Sequence, residues 1–424
     1  MNIYFAGIGG VGIGPLAQIA RDAGHTVMGS DLHDGLITKQ LKEQGIAIEI
    51  GNNTAPFLKA CHDTAPIDWF VYTAALPADH PELLLAASLG ITTGKRDAFL
   101  AEFISHHNLT LLAVAGTHGK TTTTGMAIWA LKELGIPVSY SVGTTLTFGP
   151  SGAYDPDSNI FVYECDEFDR NFLHFAPDLS LITSIDYDHP DTYPTEASYK
   201  AAFRQYVASS KHTIAWQHDL AFIEQGTLPS ITTLKTRDVQ DFALVGYHNR
   251  QNATLVYNAL IQLEVGRPEQ LRAHIESFPG TDRRFEKIAN NIYSDYGHHP
   301  QEIAATLQLA KEVSDKVALV YQPHQNVRQH EIAGLYTDTV VKDADKVFWL
   351  PTYLSREDPD LAILQPSDLV QGLRETQVTI AELDDSLWQT IEALAGSGYL
   401  VLCMGAGSID GWLRTALQGS AGRR

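Results

Sequence analysis

Short apolar runs, each closed by a glycine-rich or polar turn and followed by residues with helical spacing, recur along the chain. Ile3 to Ala6, His25 to Gly29, Leu111 to Ala115, Ile160 to Tyr163, Leu179 to Thr183 and Lys316 to Tyr321 are the clearest. Apolar strands alternating with helices predict parallel sheets covered on both faces, an α/β protein. After Leu111 to Ala115 the turn Gly116-Thr117-His118-Gly119-Lys120-Thr121 leads into a helix from Thr122 through Trp129 and Leu134, which Gly135 and Pro137 stop. A chain of 424 residues suits two or three domains. We expect three, with joints at Ser105 to Asn108 and at Lys287 to Asn291, the second just after Arg283-Arg284.

Composition narrows the class without naming the chemistry. An apolar fraction of 44% and a charged fraction of 19% belong to a folded protein, an enzyme or a binding protein. A formal charge of -20, with no basic patch to reverse it locally, argues against nucleic acid and anionic lipid as partners. Cys61, Cys165 and Cys403 are far apart and form no C-x-x-C pair, so neither a disulfide framework nor a zinc ribbon is expected. The opening Met1-Asn2-Ile3-Tyr4-Phe5 has no basic leader, and no run approaches the ~20 apolar residues of a membrane span. We expect a cytoplasmic protein.

Three clusters carry candidate chemistry. Gly7-Ile8-Gly9-Gly10-Val11-Gly12 follows the first strand, and Asp31 ends the next about twenty residues on, a dinucleotide-type fingerprint. Such a turn brings backbone N–H groups to a diphosphate at a helix N-terminus, with Asp31 placed to accept from a ribose hydroxyl. A nicotinamide or flavin site and a turn holding some other diphosphate, or none, fit it equally. The second cluster is Gly116 to Thr121, where strand, glycine turn, Lys-Thr and helix suit phosphates: Lys120 meets the β/γ oxygens and Thr121 reaches Mg²⁺. The general G-x-x-x-x-G-K-[ST] pattern fails, its first glycine falling at Val114. In the third, Glu164-Cys165-Asp166-Glu167-Phe168-Asp169 places four carboxylates at a strand end. It reads either as a solvated acidic turn or as a set needing a hard cation among them, Mg²⁺. His189, after the strand Leu179 to Thr183, is a further metal or phosphate ligand in the same unit.

Taken in order, nine segments resemble the Mur ligase family over nearly the whole chain. They are G-I-G-G-V-G-I-G from Gly7, G-S-D ending at Asp31, G-T-H-G-K-T-T-T-T from Gly116, E-C-D-E-F-D from Glu164, D-H-P-D-T-Y from Asp188, G-Y-H-N-R-Q-N from Gly246, D-R-R-F from Asp282, D-Y-G-H-H-P from Asp295 and G-A-G-S-I from Gly405. The resemblance implies an N-terminal Rossmann-like UDP-binding domain at 1–107, a central P-loop ATPase domain with a parallel sheet at 108–286, and a C-terminal Rossmann-like α/β domain at 287–424. It implies an ATP- and Mg²⁺-dependent ligase joining the carboxylate of UDP-N-acetylmuramate to L-alanine through an acyl phosphate, with no nucleic acid or membrane partner. By resemblance, Gly116, Thr117, His118, Gly119, Lys120, Thr121 and Thr122 hold the nucleotide, with His248, Asn249 and Asn252 on its adenine side. Arg284 would reach the phosphates and Asp295 the ribose. Thr121, Glu164 and His189 are the metal ligands, and Gly9, Gly10, Gly12, Asp31 and Arg96 line the UDP-sugar. Arg328 and His298 join Lys120, Glu164 and His189 as catalytic residues, and Tyr296, His299 and His324 bind substrate. Being adjacent in an extended segment, His298 and His299 point oppositely, so only one of them faces the substrate.

Departures from the family pattern bear on the acceptor. Ser184 stands where the family has asparagine, and Phe203 where several relatives carry a carbamylated lysine. Gln325 replaces the first of two arginines of the alanine-adding branch, while Arg328 remains. One cation fewer beside the acceptor carboxylate leaves a second reading, ligation of a short murein peptide to the same sugar. A regulatory protein that binds UDP-sugar or ATP without catalysis is the alternative of another class. An NAD-dependent dehydrogenase would explain only the first glycine turn.

Overall fold

The computed structural model describes residues 1–52, 54–73, 76–189, 192–355, 357–374 and 378–421. The apolar runs form strands within a residue or two of the positions expected. Five of them, β1 (Asn2–Ala6), β2 (Thr26–Asp31), β3 (Ala47–Ile50), β4 (Trp69–Tyr72) and β5 (Thr92–Lys95), make an all-parallel sheet in the order β3-β2-β1-β4-β5. The order reverses between β1 and β4, and open α/β sheets place ligands outside the strand ends at such a point. The glycine turn leaves β1 there.

A second sheet follows: β6 (Thr110–Ala115), β7 (Ser139–Ser141), β8 (Gly152–Ala153), β9 (Ile160–Glu164), β10 (Leu179–Ile182), β11 (Thr213–Trp216) and β12 (Ile231–Leu234). Its order is β12-β11-β10-β6-β9-β7-β8, parallel except for the short β7–β8 pair. The phosphate-loop strand β6 is central, between β10 and β9, so the loop carrying His189 and the strand end carrying Glu164 lie on either side of it. These two sheets belong to one compact unit, residues 1–240 and 252–279. An apolar core of this unit runs from Ile3, Phe5 and Phe99 through Phe161 and Phe172 to Tyr199 and Tyr206.

The second unit comprises residues 241–251 and 280–424. Its sheet contains β13 (Glu286–Ala289), β14 (Ile292–Asp295), β15 (Val317–Tyr321), β16 (Lys346–Trp349), β17 (Val378–Ile380) and β18 (Leu400–Met404), in the order β13-β14-β18-β15-β16-β17. All pairs are parallel except the β13–β14 hairpin. That hairpin occupies Lys287 to Asn291, where a joint was expected: left-handed Asn291 (φ 59°) turns the chain inside the sheet. All five β15 residues are 0% exposed, because separate apolar clusters cover the two sheet faces, which is why this strand reads as an unbroken apolar run.

Candidate active site

At the N-terminal turn Gly7 adopts φ 78°, a left-handed value favouring glycine. Asp31 binds the turn from within. Its Oδ2 accepts the Gly9 N–H at 2.8 Å and its Oδ1 the His33 N–H at 3.1 Å. A side chain on Gly9 would stand 2.7 Å from Thr38, and one on Gly12 would collide with the Arg96 guanidinium. Arg96 therefore lies against the turn, paired with buried Asp97 at 3.4 Å. Gly10 continues the same turn, its N–H donating to Gly7 O at 3.0 Å. The structure thus gathers Gly9, Gly10, Gly12, Asp31 and Arg96 at one place.

The phosphate loop is wrapped by its neighbours. Gly116 (φ 135°) and Gly119 (φ 85°) have backbone conformations that L side chains rarely adopt. The Thr117 hydroxyl donates to Asp186 O at 2.9 Å and sits 2.7 Å from Tyr199 Oη. His118 N–H donates to Ser184 Oγ at 3.0 Å, so the serine that departs from the family pattern anchors this loop. Gly119 faces Asn252, whose Oδ1 would be 3.1 Å from a Cβ there. Asn252 accordingly belongs with the loop, whereas His248 and Asn249 fall in the second unit.

From Gly119 the helix Lys120–Glu133 begins, and Thr122 lies partly exposed on its first turn. Thr121 Oγ donates to Glu164 Oε1 at 2.7 Å, and Glu164 Oε2 accepts the Gly143 N–H at 2.7 Å. A hydroxyl and a carboxylate oxygen this close, at the mouth of a phosphate loop, are hard donors suited to Mg²⁺ together with phosphate oxygens. Among the described residues, no group of three or more His, Cys, Asp or Glu forms a metal cage by itself.

The three carboxylates that sequence spacing left unassigned separate in space. Asp169, at φ 52°, pairs with Lys95 at 3.0 Å. Asp166 stands 3.9 Å from Lys120. Glu167 is wholly buried, and its Oε2 accepts Lys120 Nζ at 2.7 Å. Burial pushes the Glu167 carboxyl up, and the Lys120 ammonium beside it pulls it back down. The carboxylates around Lys120 in turn outweigh its burial and hold it above the usual lysine range. His189, at φ 57°, puts Nε2 3.8 Å from both Glu167 Oε1 and Asp188 Oδ2. Pro190 and Asp191 of this motif lie outside the described residues. Phe172, stacked on Tyr206 at 4.8 Å, anchors the acidic segment in the core, and Tyr193 donates to Glu167 O at 2.6 Å.

In the second unit, both Asp295 oxygens accept backbone N–H groups, from Phe285 at 2.8 Å and Gly297 at 2.7 Å. Burial raises this carboxyl to about 6. Arg284 lies 3.7 Å from Glu302 and over the Tyr296 ring at 5.4 Å. Burial lowers the His248 imidazole to about 4, and Asn249 Nδ2 donates to Val245 O at 2.9 Å. His299 is buried and caps the helix Pro300–Val313, accepting Gln301 N–H at 3.4 Å. His298 turns the other way, with ring centroids 5.8 Å from Tyr296 and 5.7 Å from His324. His324 stacks at 5.8 Å on Tyr353, a neighbour 29 positions along the chain that no spacing rule could have indicated. Gln325 starts the helix Asn326–Ile332 at φ 62°, its N–H bonded to Tyr353 O at 2.9 Å. Partly exposed Arg328 lies on that helix.

Three family models match in order: Mur ligase family, catalytic domain, over residues 2–108; Mur ligase middle domain over 114–226; and Mur ligase, glutamate ligase domain, over 283–407. A UDP-N-acetylmuramate–L-alanine ligase from Nocardioides sp. is 32% identical, the match covering 96% of this chain and 94% of that one. The fold is that of the UDP-N-acetylmuramate-alanine ligase MurC from Thermotoga maritima, at TM-score 0.77 and 24% identity over all of both chains. The murein peptide ligase Mpl from Psychrobacter arcticus matches at TM-score 0.64 and 22% identity, over 99% of this chain and 98% of that one. Three matched models in chain order, a relative aligned along nearly its whole length, and a phosphate loop with a carboxylate strand end beside it lead to one conclusion: the chain belongs to the Mur ligase family.

Proposed function

We propose that the chain is an ATP- and Mg²⁺-dependent ligase that forms an amide bond between the carboxylate of UDP-N-acetylmuramate and L-alanine, in the cytoplasmic stage of peptidoglycan precursor synthesis. The observation that carries the proposal is the pairing of Thr121 with Glu164 beside Lys120, which a protein binding only a UDP-sugar would not need. The acceptor is argued from relatives 30–34% identical that bear the alanine ligase name.

In this reading Gly116 to Thr122 cradle the ATP phosphates, Lys120 offsets their charge, and Thr121, Glu164 and His189 hold Mg²⁺. Bound there, the cation would neutralise γ-phosphate charge as the sugar carboxylate attacks it. Attack forms an acyl phosphate and releases ADP, and the incoming amine then displaces phosphate. His248, Asn249, Asn252, Arg284 and Asp295 serve the nucleotide, while Gly9, Gly10, Gly12, Asp31 and Arg96 serve the UDP-sugar. Tyr296, His298, His324 and Arg328 serve the acceptor, with His299 a support behind them. We place the domain joints near residues 107 and 280.

Phosphate release with ATP, Mg²⁺ and UDP-N-acetylmuramate tests the proposal, with L-alanine, L-serine, glycine or the murein tripeptide added separately. Release with L-alanine is the expected result. Release with the tripeptide alone would transfer the chain to peptide recycling, the reading that Gln325 favours, and release with none would overturn ligase activity on this sugar.

A further inference from the structure

The Lys120 ammonium spends its donors within the chain: on Gly116 O at 2.5 Å, Thr117 O at 3.2 Å and Glu167 Oε2 at 2.7 Å. Only Glu167 among these acceptors can carry a negative charge. It is 0% exposed, and its Oε1 has no hydrogen-bond partner among the described residues although it faces His189 Nε2 at 3.8 Å. Burying a carboxylate carries a desolvation penalty, so a residue that merely filled this space would be apolar. The backbone around it is firmly placed, with Glu167 O accepting from Tyr193 and from Arg170 N–H.

We infer that Glu167 is a positioning residue, one carboxylate oxygen holding Lys120 and the other orienting His189, so that a single buried side chain sets both groups. A polyphosphate entering the loop then competes with Glu167 for one ammonium. Glu167 weakens nucleotide binding in the absence of a divalent cation and favours turnover by keeping both partners in place. This inference rests on the reading of Lys120 as the phosphate lysine, but not on the identity of the acceptor.

The test uses the full chain and the variant E167Q, which keeps the shape and removes the charge. ATP binding is measured by calorimetry in EDTA, and phosphate release with Mg²⁺. E167Q should bind metal-free ATP about threefold tighter or better while kcat falls about tenfold or more. E167D keeps the charge with a shorter reach: its metal-free Kd should stay within about twofold of the parent, and its kcat should fall between the other two. Opposed changes in Kd and kcat are not what a loosened fold produces. Unchanged or weaker metal-free binding in E167Q, or undiminished kcat, overturns the inference. If E167Q does not fold, E167D decides alone: lower kcat at parental Kd supports it, and parallel losses overturn it. The EDTA measurement needs no sugar or acceptor, so it separates failure of this inference from failure of the alanine assignment.

Discussion

Asp219 shows how one buried charge can be both support and burden. Its Oδ1 accepts the Ile185 N–H at 2.8 Å, holding the segment in which Ser184 and Asp186 meet the phosphate loop. Burial raises its carboxyl from 3.8 to about 6, with the Asp186 charge adding to the rise. A carboxyl whose folded pKa exceeds its unfolded pKa binds protons more tightly in the folded state. Its effect on stability is therefore least unfavourable below about pH 4, worsens as pH rises towards 6, and is a constant penalty above that. Asp219→Asn keeps an oxygen to accept from Ile185 and removes the ionisation. It should melt above the parent at about pH 8, by the equivalent of on the order of 2 kcal/mol, with the gap nearly closed at about pH 4. A gap independent of pH would exclude Asp219 as its source.

At the scale of the element, the helix Pro300–Val313 decides what two adjacent histidines do. Glu302, in its first turn, accepts the His298 N–H at 2.8 Å and the His299 N–H at 3.1 Å. This reciprocal cap turns the His299 ring onto the helix end and leaves the His298 ring toward Tyr296 and His324. His299→Ala should therefore cost about 1 kcal/mol of stability, with the acceptor KM changed less than about twofold. His298→Ala should leave the melting temperature nearly unchanged and lower kcat/KM for the acceptor by about tenfold or more. Calorimetry and phosphate-release kinetics on both variants check the division. Equal kinetic losses in the two would refute it.

On the scale of the whole molecule, a net charge of -20 must admit a nucleotide and a UDP-sugar that are themselves anions. Attraction then has to be local, and in the function proposed above Lys120, Arg96 and a divalent cation beside Thr121 and Glu164 would supply it. Chelation with EDTA should abolish phosphate release, and excess Mg²⁺ should restore it. Turnover that persisted under EDTA would remove the metal from the reaction.

The sequence by itself determined whatever depends on neighbours close along the chain. The phosphate loop, the carboxylate strand end and the glycine turn were legible because strand, glycine and side-chain chemistry sit within a dozen residues. The β13–β14 hairpin was missed because its short half-buried strand resembles a linker until it finds a partner. Only tertiary structure chose Glu167 among the acidic run: the left-handed turn at Asp169 and Arg170 and the packing of Phe172 send one carboxylate inward and another to Lys95. The same holds for Asn252 against Gly119, 133 positions apart, for Ser184 against His118, and for Tyr353 under His324. Spacing along the chain decides which groups are available. Which of them meet is decided by burial, since a charged side chain can be carried into the core only where the fold supplies a partner.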